Sequence, residues 1–179
     1  MTGSFADGRY GGSHSGSVGT TNVLVAGGVM NGSGNHHSGY SVGDSHSNII
    51  GGSRSSGTVT TSNVMVTNNA IVFAVQGSGR EAESSVGTTH VTVPRKANVI
   101  FMVCGSVTDG NRDRSDEFPV TTSNVTIRDA AIIGTEGGST DYGAGSVFGG
   151  GWDTYNNALY SSTRHTNVSV EDETIHGSV

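Results

Sequence analysis

Two aliphatic residues stand one position apart, behind a short polar phrase, five times along this chain. The copies are Thr20-Thr21-Asn22-Val23-Leu24-Val25, Thr61-Ser62-Asn63-Val64-Met65-Val66 and Thr88-Thr89-His90-Val91-Thr92-Val93. Two more follow as Thr122-Ser123-Asn124-Val125-Thr126-Ile127 and His165-Thr166-Asn167-Val168-Ser169-Val170. Alternation of β-branched and variable residues has the period of a strand with one buried face. Anchored on Val23, Val64, Val91, Val125 and Val168, the steps are 41, 27, 34 and 43 residues. A recurring phrase at steps of this size points to a repeat architecture.

A second apolar element follows each phrase. Met30, Ile71, Ile132 and Ile175 stand five residues after the last branched residue, and Val99 stands six after Val93. Pro94 is the expected mark of that extra residue. Polar or small stretches such as Thr67-Asn68-Asn69-Ala70 and Arg128-Asp129-Ala130-Ala131 lie between and read as corners. A third element is an apolar residue running into glycine, as in Tyr10-Gly11-Gly12, Ile50-Gly51-Gly52, Val103-Cys104-Gly105 and Phe148-Gly149-Gly150-Gly151. Glycine there permits a tight turn or close backbone approach. Every long window carries glycine or β-branched residues where a helical stripe would run, so no helix is expected.

One unit of two or three short strands does not bury its own apolar face, whereas stacked units bury a continuous core. The expected architecture is therefore a single all-β domain over 1–179, a parallel β-solenoid of five irregular coils. At about 4.8 Å per layer it would be a rod of roughly 20–25 Å. The structural alternative is a β-sandwich or jelly roll. The variable segments Ser33–Asp44, Gly77–Ser85, Thr108–Phe118, Gly138–Gly145 and Trp152–Thr163 are expected to be loops on one face, where solenoids often bind. Like residues then lie above one another. Asn22, Asn63, Asn124 and Asn167, with His90 in the third copy, form an expected ladder, because an amide both donates and accepts.

Composition agrees with short repeated strands. Only 32% of the residues are hydrophobic, low for a compact sandwich, while glycine supplies 29 residues. Charged residues are also few, at 13%, which separates the chain from ordinary disordered sequences. The formal net charge of −6 lacks the clustered Lys and Arg of a nucleic-acid footprint. No apolar run approaches the roughly 20 residues that span a bilayer. Met1–Asp7 lacks the basic stretch and apolar core of a signal peptide. Cys104 has no second cysteine to pair with and reads as a small buried hydrophobe within Ile100-Phe101-Met102-Val103-Cys104.

The phrase Thr166-Asn167-Val168-Ser169-Val170 through Ile175-His176-Gly177, with Gly145-Ser146-Val147-Phe148-Gly149-Gly150-Gly151, resembles the glycine-rich repeats of adhesin-like bacterial surface proteins. The irregular spacing, His90 and Pro94 depart from that pattern. The resemblance implies a right-handed β-helix displayed outside the cell, on the cell surface. It implies a structural or adhesive module whose loops meet a glycan or a surface protein. A carbohydrate-active enzyme, a polysaccharide lyase or glycoside hydrolase on the same fold, is the alternative.

Candidate chemistry is sparse. Tyr142, Trp152, Asp153 and Tyr155 are the densest aromatic and acidic grouping, and are the expected ligand contacts. Asp109, Asn111 and Asp113 start as a calcium loop starts, but Arg114 replaces its glycine and Val120 its last carboxylate. No other cofactor is expected. Paired acids for glycoside hydrolysis would have to come from Asp109, Asp113 and Asp116, or from Asp141 and Asp153. The pair His36-His37 has neighbours facing opposite ways on a strand, which suits loop polarity better than a metal. Thr-Thr pairs raise ice binding, but adjacent threonines point to opposite faces, so only one forms an outer column. Finally, Gly8–Ser13 and Ile175–Val179 resemble two halves of one element. That suggests either a segment of a longer repetitive chain or a subunit that associates end to end.

Overall fold

The computed structural model describes residues 9–11, 16–30, 48–53, 57–79, 85–106, 120–134, 145–151, 163–177 and 179. Among them there is no helix, and every strand pairing is parallel. The strands are β1 (Arg9–Tyr10), β2 (Gly16–Ala26), β3 (Val29–Met30) and β4 (Asn48–Ile50), then β5 (Gly57–Thr67) and β6 (Ile71–Gln76). They continue as β7 (Ser85–Val93), β8 (Asn98–Cys104), β9 (Val120–Ile127), β10 (Ile132–Ile133), β11 (Ser146–Phe148), β12 (Thr163–Val170) and β13 (Thr174–Ile175).

The five repeated phrases make one sheet in the order β12-β9-β7-β5-β2. Their register is that of the sequence repeat. Val23, Val64, Val91, Val125 and Val168 pair in one row; beyond it Val25 pairs with Val66, and Val93, Ile127 and Val170 pair in turn. Both sets face inward, and their middle members are buried. Parallel neighbours need a crossover, and the rest of each repeat supplies it by running through an eight-stranded sheet. The antiparallel sandwich considered from sequence therefore does not describe these sheets.

Each strand of the five-stranded sheet ends in a corner built on left-handed backbone. Gly27 and Gly28 have φ of 73° and 85°, Asn68 and Asn69 of 56° and 57°, Arg95 and Lys96 of 57° each, and Asp129 and Ala130 of 60° and 59°. Side chains other than glycine resist this region, Asn and Asp least. Neighbouring corners hold one another there: Lys96 N–H donates to Asp129 O at 3.0 Å, and Gly27 N–H to Thr67 O at 3.0 Å. Lys96→Gly is expected to stabilise the fold by about 0.5–1 kcal/mol, raising the melting temperature by roughly 2–4 °C. A thermal melt followed by circular dichroism checks this.

The second element corrects the sequence reading by one residue in two repeats. Its inward row is Met30, Val72, Val99, Ile133 and Ile175, in register through β3, β6, β8, β10 and β13, with all but Ile175 buried. Ile71 and Ile132, the expected anchors, stand beside the row, and Ile132 is 37% exposed. The physical reason is an alanine. Ala70, Ala97 and Ala131 are fully buried inside their corners and lengthen the second, third and fourth repeats alike. Pro94 therefore marks no extra residue peculiar to the third repeat.

The third element completes the core. Ile49, Val75, Val103 and Val147 pair in register and join the main apolar cluster between the sheets. The opposite side of these strands is buried too, at Ile50, Gln76 and Cys104. Burial on both sides explains the unbroken apolar run in β8. β6 and β8 are joined second and third elements, with a register shift between Val72 and Ala74, and near it Phe73 stacks on Phe101 at 5.2 Å.

The variable segments are attached at two different places in the repeat, whereas the sequence reading expected one face. Residues 31–47 and 135–144 connect second to third elements, whereas 54–56, 80–84, 107–119 and 152–162 connect a third element to the next repeat. The left-handed corner is short in every repeat.

Candidate functional site

Because the valine rows face the core, the residues between them face away from it. The outward face of the five-stranded sheet carries the row Asn22, Asn63, His90, Asn124, Asn167. On one side runs Thr20, Thr61, Thr88, Thr122, His165, and on the other Leu24, Met65, Thr92, Thr126, Ser169. Leu24 is 58% exposed and Met65 40%. This is a regular polar surface with an apolar edge at one end.

The Asn row is hydrogen-bonded along the stack where asparagines are neighbours. Asn63 Nδ2 donates to Asn22 Oδ1 at 3.0 Å, and Asn167 Nδ2 to Asn124 Oδ1 at 2.9 Å. Next to His90 the pattern changes, and Asn124 Nδ2 donates to the Thr89 carbonyl at 3.2 Å. The row is at the surface, so its bonds compete with water. Asn63→Ala is expected to cost about 0.5–1.5 kcal/mol, as a lost solvent-accessible bond does. Urea unfolding of the variant measures it, and a cost above about 3 kcal/mol would mean that the amide holds more than this rung.

A second polar row, inside the fold, went unassigned in the sequence reading. Thr21, Ser62, Thr89, Ser123 and Thr166 pair in register and point the same way as the valines. Thr21 Oγ1 donates to Gly51 O at 2.6 Å, Ser62 Oγ to Gly77 O at 2.7 Å, and Thr89 Oγ1 to Gly105 O at 2.7 Å. These bonds tie the five-stranded sheet to the glycine turns that end the third elements. The glycines in turn donate from N–H to the neighbouring repeat: Gly51 to Gln76 O, Gly77 to Cys104 O and Gly105 to Phe148 O. Most buried hydroxyls have such a partner; in the fourth repeat Ser123 Oγ is buried without one. The signal was present in the sequence, since a hydroxyl residue stands two places before the first valine in every copy.

Tyr142, Trp152, Asp153 and Tyr155, and likewise Asp109, Asn111 and Asp113, lie outside the described residues. So do His36, His37, Asp116 and Asp141. Their attachment points are described. The segment with Asp109 leaves Ser106 and returns at Val120, the one with Tyr142 joins Gly134 to Gly145, and the one with Trp152 joins Gly151 to Thr163. Tyr142 and Trp152 thus stand on the two segments that flank β11 in sequence. The structure brings together the five ladder positions.

Among the described residues no group of three His, Cys, Asp or Glu side chains converges. The described charges sit mainly at the left-handed corners and in the last repeat. Arg128 Nε lies 3.8 Å from Asp129 Oδ2, with both side chains about half exposed, a pair that contributes little to stability. Cys104 is fully buried with its Sγ 3.3 Å from Met102 Sδ. Burial pushes the Cys104 thiol well above the ordinary thiol range, which leaves it protonated and unreactive. No described helix is long and apolar enough to cross a membrane. Comparison with protein-family models, with curated proteins and with solved structures finds no match.

Proposed function

We propose that this chain is a β-solenoid of the right-handed β-helix type, serving as a structural and adhesive module on an extracellular bacterial surface. The observation that carries the reading is the register of the repeats: valine, hydroxyl, glycine and asparagine rows run through successive repeats. Polar residues of the repeated phrase are engaged in stacking. The Thr21, Ser62 and Thr89 hydroxyls bond to glycine carbonyls, and the Asn63 and Asn167 amides bond to Asn22 and Asn124. Residues employed in this way support a scaffold role better than chemistry. Length varies between repeats at the segments that join the strands, and variable segments on a fixed frame suit display. Tyr142, Trp152, Asp153 and Tyr155 belong to two such segments of the fourth repeat and are the contacts we assign to a glycan or surface-protein partner. An aromatic face with a neighbouring carboxylate matches the apolar face and hydroxyl rim of a sugar.

The test is binding of the full chain to an immobilised panel of bacterial and host glycans, run beside Trp152→Ala. Saturable binding that weakens about tenfold in the variant is expected, one buried aromatic anchor being worth roughly 1.4 kcal/mol or more. Release of reducing ends or unsaturated sugars from any polysaccharide would replace the adhesive reading with an enzymatic one. Absence of binding to every glycan and to extracted surface proteins would remove the adhesive part.

A further inference from the structure

The inward rows are closed in the middle of the stack and open at the β12 end, while at the β2 end Thr21, Val25 and Met30 are buried and Val23 is partly exposed. Val64, Val91 and Val125 are at most 2% exposed, while Val168 of the same row is 39% exposed. Val23, Val170 and Ile175 are likewise only partly buried. The outermost strands of the five-stranded sheet are β2 and β12, each paired on one side among the described residues. An open parallel edge with its apolar row half uncovered recruits another strand.

We infer that a second copy of this chain stacks on the first head to tail, β2 of one copy pairing parallel with β12 of the other. The inference rests on the solenoid reading above. Its support is continuity with the interfaces already inside the molecule. In the register that joins β9 to β12, Asn167 would meet Asn22 of the next copy and Val168 would meet Val23. Ile175, only partly buried, would stand next to Met30 and extend the row that now runs from β3 to β13. In the eight-stranded sheet, β1 pairs with β4 and β11 with β8, each on one side among the described residues. Stacking in the same sense brings β1 of the added copy alongside β11. Charge permits this direction. No charged residue lies between Gly16 and Met30, so the acidic corner Glu171-Asp172-Glu173 would meet Gly27 and Gly28 instead of further carboxylates. Such a contact joins different surfaces, so it does not close on itself and builds linear chains of copies.

Sedimentation velocity on the full chain from about 1 to 200 μM, with Val168→Glu and Val23→Glu, tests the inference. The wild type is expected to move from monomer to a ladder of larger species as concentration rises. Each variant alone should shift its association at least tenfold to higher concentration, and an equimolar mixture of the two should give dimers and stop there. That mixture joins the one intact tail to the one intact head, an outcome peculiar to head-to-tail stacking. Where circular dichroism shows that a glutamate variant has lost its strands, Asn167→Glu and Asn22→Glu at the exposed row take its place. A wild type that is folded and monomeric at 200 μM overturns the stacking. So does dimerisation abolished by one variant and untouched by the other. Neither result bears on the solenoid reading, which fails separately if a crystal structure of the monomer lacks stacked parallel repeats.

Discussion

Gly77→Ala is expected to destabilise the fold by about 3 kcal/mol, and Gly19→Ala to leave it unchanged or raise it by about 0.5 kcal/mol. Gly19 lies within β2, and Gly77 lies in the turn after β6 that packs on the five-stranded sheet, so they differ in what surrounds them. A Cβ at Gly77 would lie 2.6 Å from the Gly105 carbonyl oxygen, 2.8 Å from Thr89 Cβ and 2.9 Å from Val91 Cγ2. The first is backbone of the next turn and the others belong to the buried rows, so no flexible end is free to move aside. At Gly19 nothing lies within 4 Å of the added carbon. Neither position has the positive φ that makes glycine obligatory, so the contrast isolates space from conformation. Urea unfolding of the two variants under the same conditions decides it. Equal stability would mean that the glycine turns do not pack against the hydroxyl row.

Val66→Asp is expected to cost about 4 kcal/mol or more, enough to unfold a domain of ordinary stability, whereas Met65→Asp should change stability by about 0.5 kcal/mol. The two residues are adjacent in β5 and separated only by the alternation of a strand. Val66 is fully buried and paired with Val25, and Met65 is 40% exposed on the outer face. A carboxylate at position 66 would lie beside Val25 within the main apolar cluster. Far-ultraviolet circular dichroism and a thermal melt separate the outcomes. Similar losses in both variants would contradict the inward and outward assignment of the whole sheet.

Legibility followed periodicity. The Val-x-Val alternation and its five copies were enough to place β2, β5, β7, β9 and β12, their parallel direction and their register, because one repeated face must be buried against its neighbours. The corners were legible as corners, but their length was not. The first repeat turns on Gly27 and Gly28 alone, whereas later repeats add Ala70, Ala97 and Ala131, and a small residue near a turn looks like part of the turn. Counting from the last valine therefore selected Ile71 and Ile132 over Val72 and Ile133. The inward hydroxyl row was missed for a related reason. Thr21, Ser62, Thr89 and Ser123 share the parity of the valines, but a hydroxyl is ordinarily read as surface. For Thr21, Ser62 and Thr89 the partner is a glycine carbonyl 15 to 30 residues away, beyond any local pattern. The candidate contacts at Tyr142, Trp152, Asp153 and Tyr155 stand in segments whose path no period constrains, so their sequence carries chemistry without geometry.

The central claim is that successive repeats lie in sequence order, in register, at one strand spacing per repeat. Pulsed electron spin distances between labels on the outward row measure this directly. The label pairs are Met65 with Thr126, Leu24 with Thr126, and Leu24 with Ser169, introduced as Met65→Cys, Leu24→Cys, Thr126→Cys and Ser169→Cys while Cys104 stays buried and protonated. These pairs are two, three and four strands apart. The backbone separations should rise in equal steps, at about 10, 14 and 19 Å, from a spacing of about 4.8 Å per strand. A Leu24–Ser169 distance no longer than the Leu24–Thr126 distance would contradict the stack.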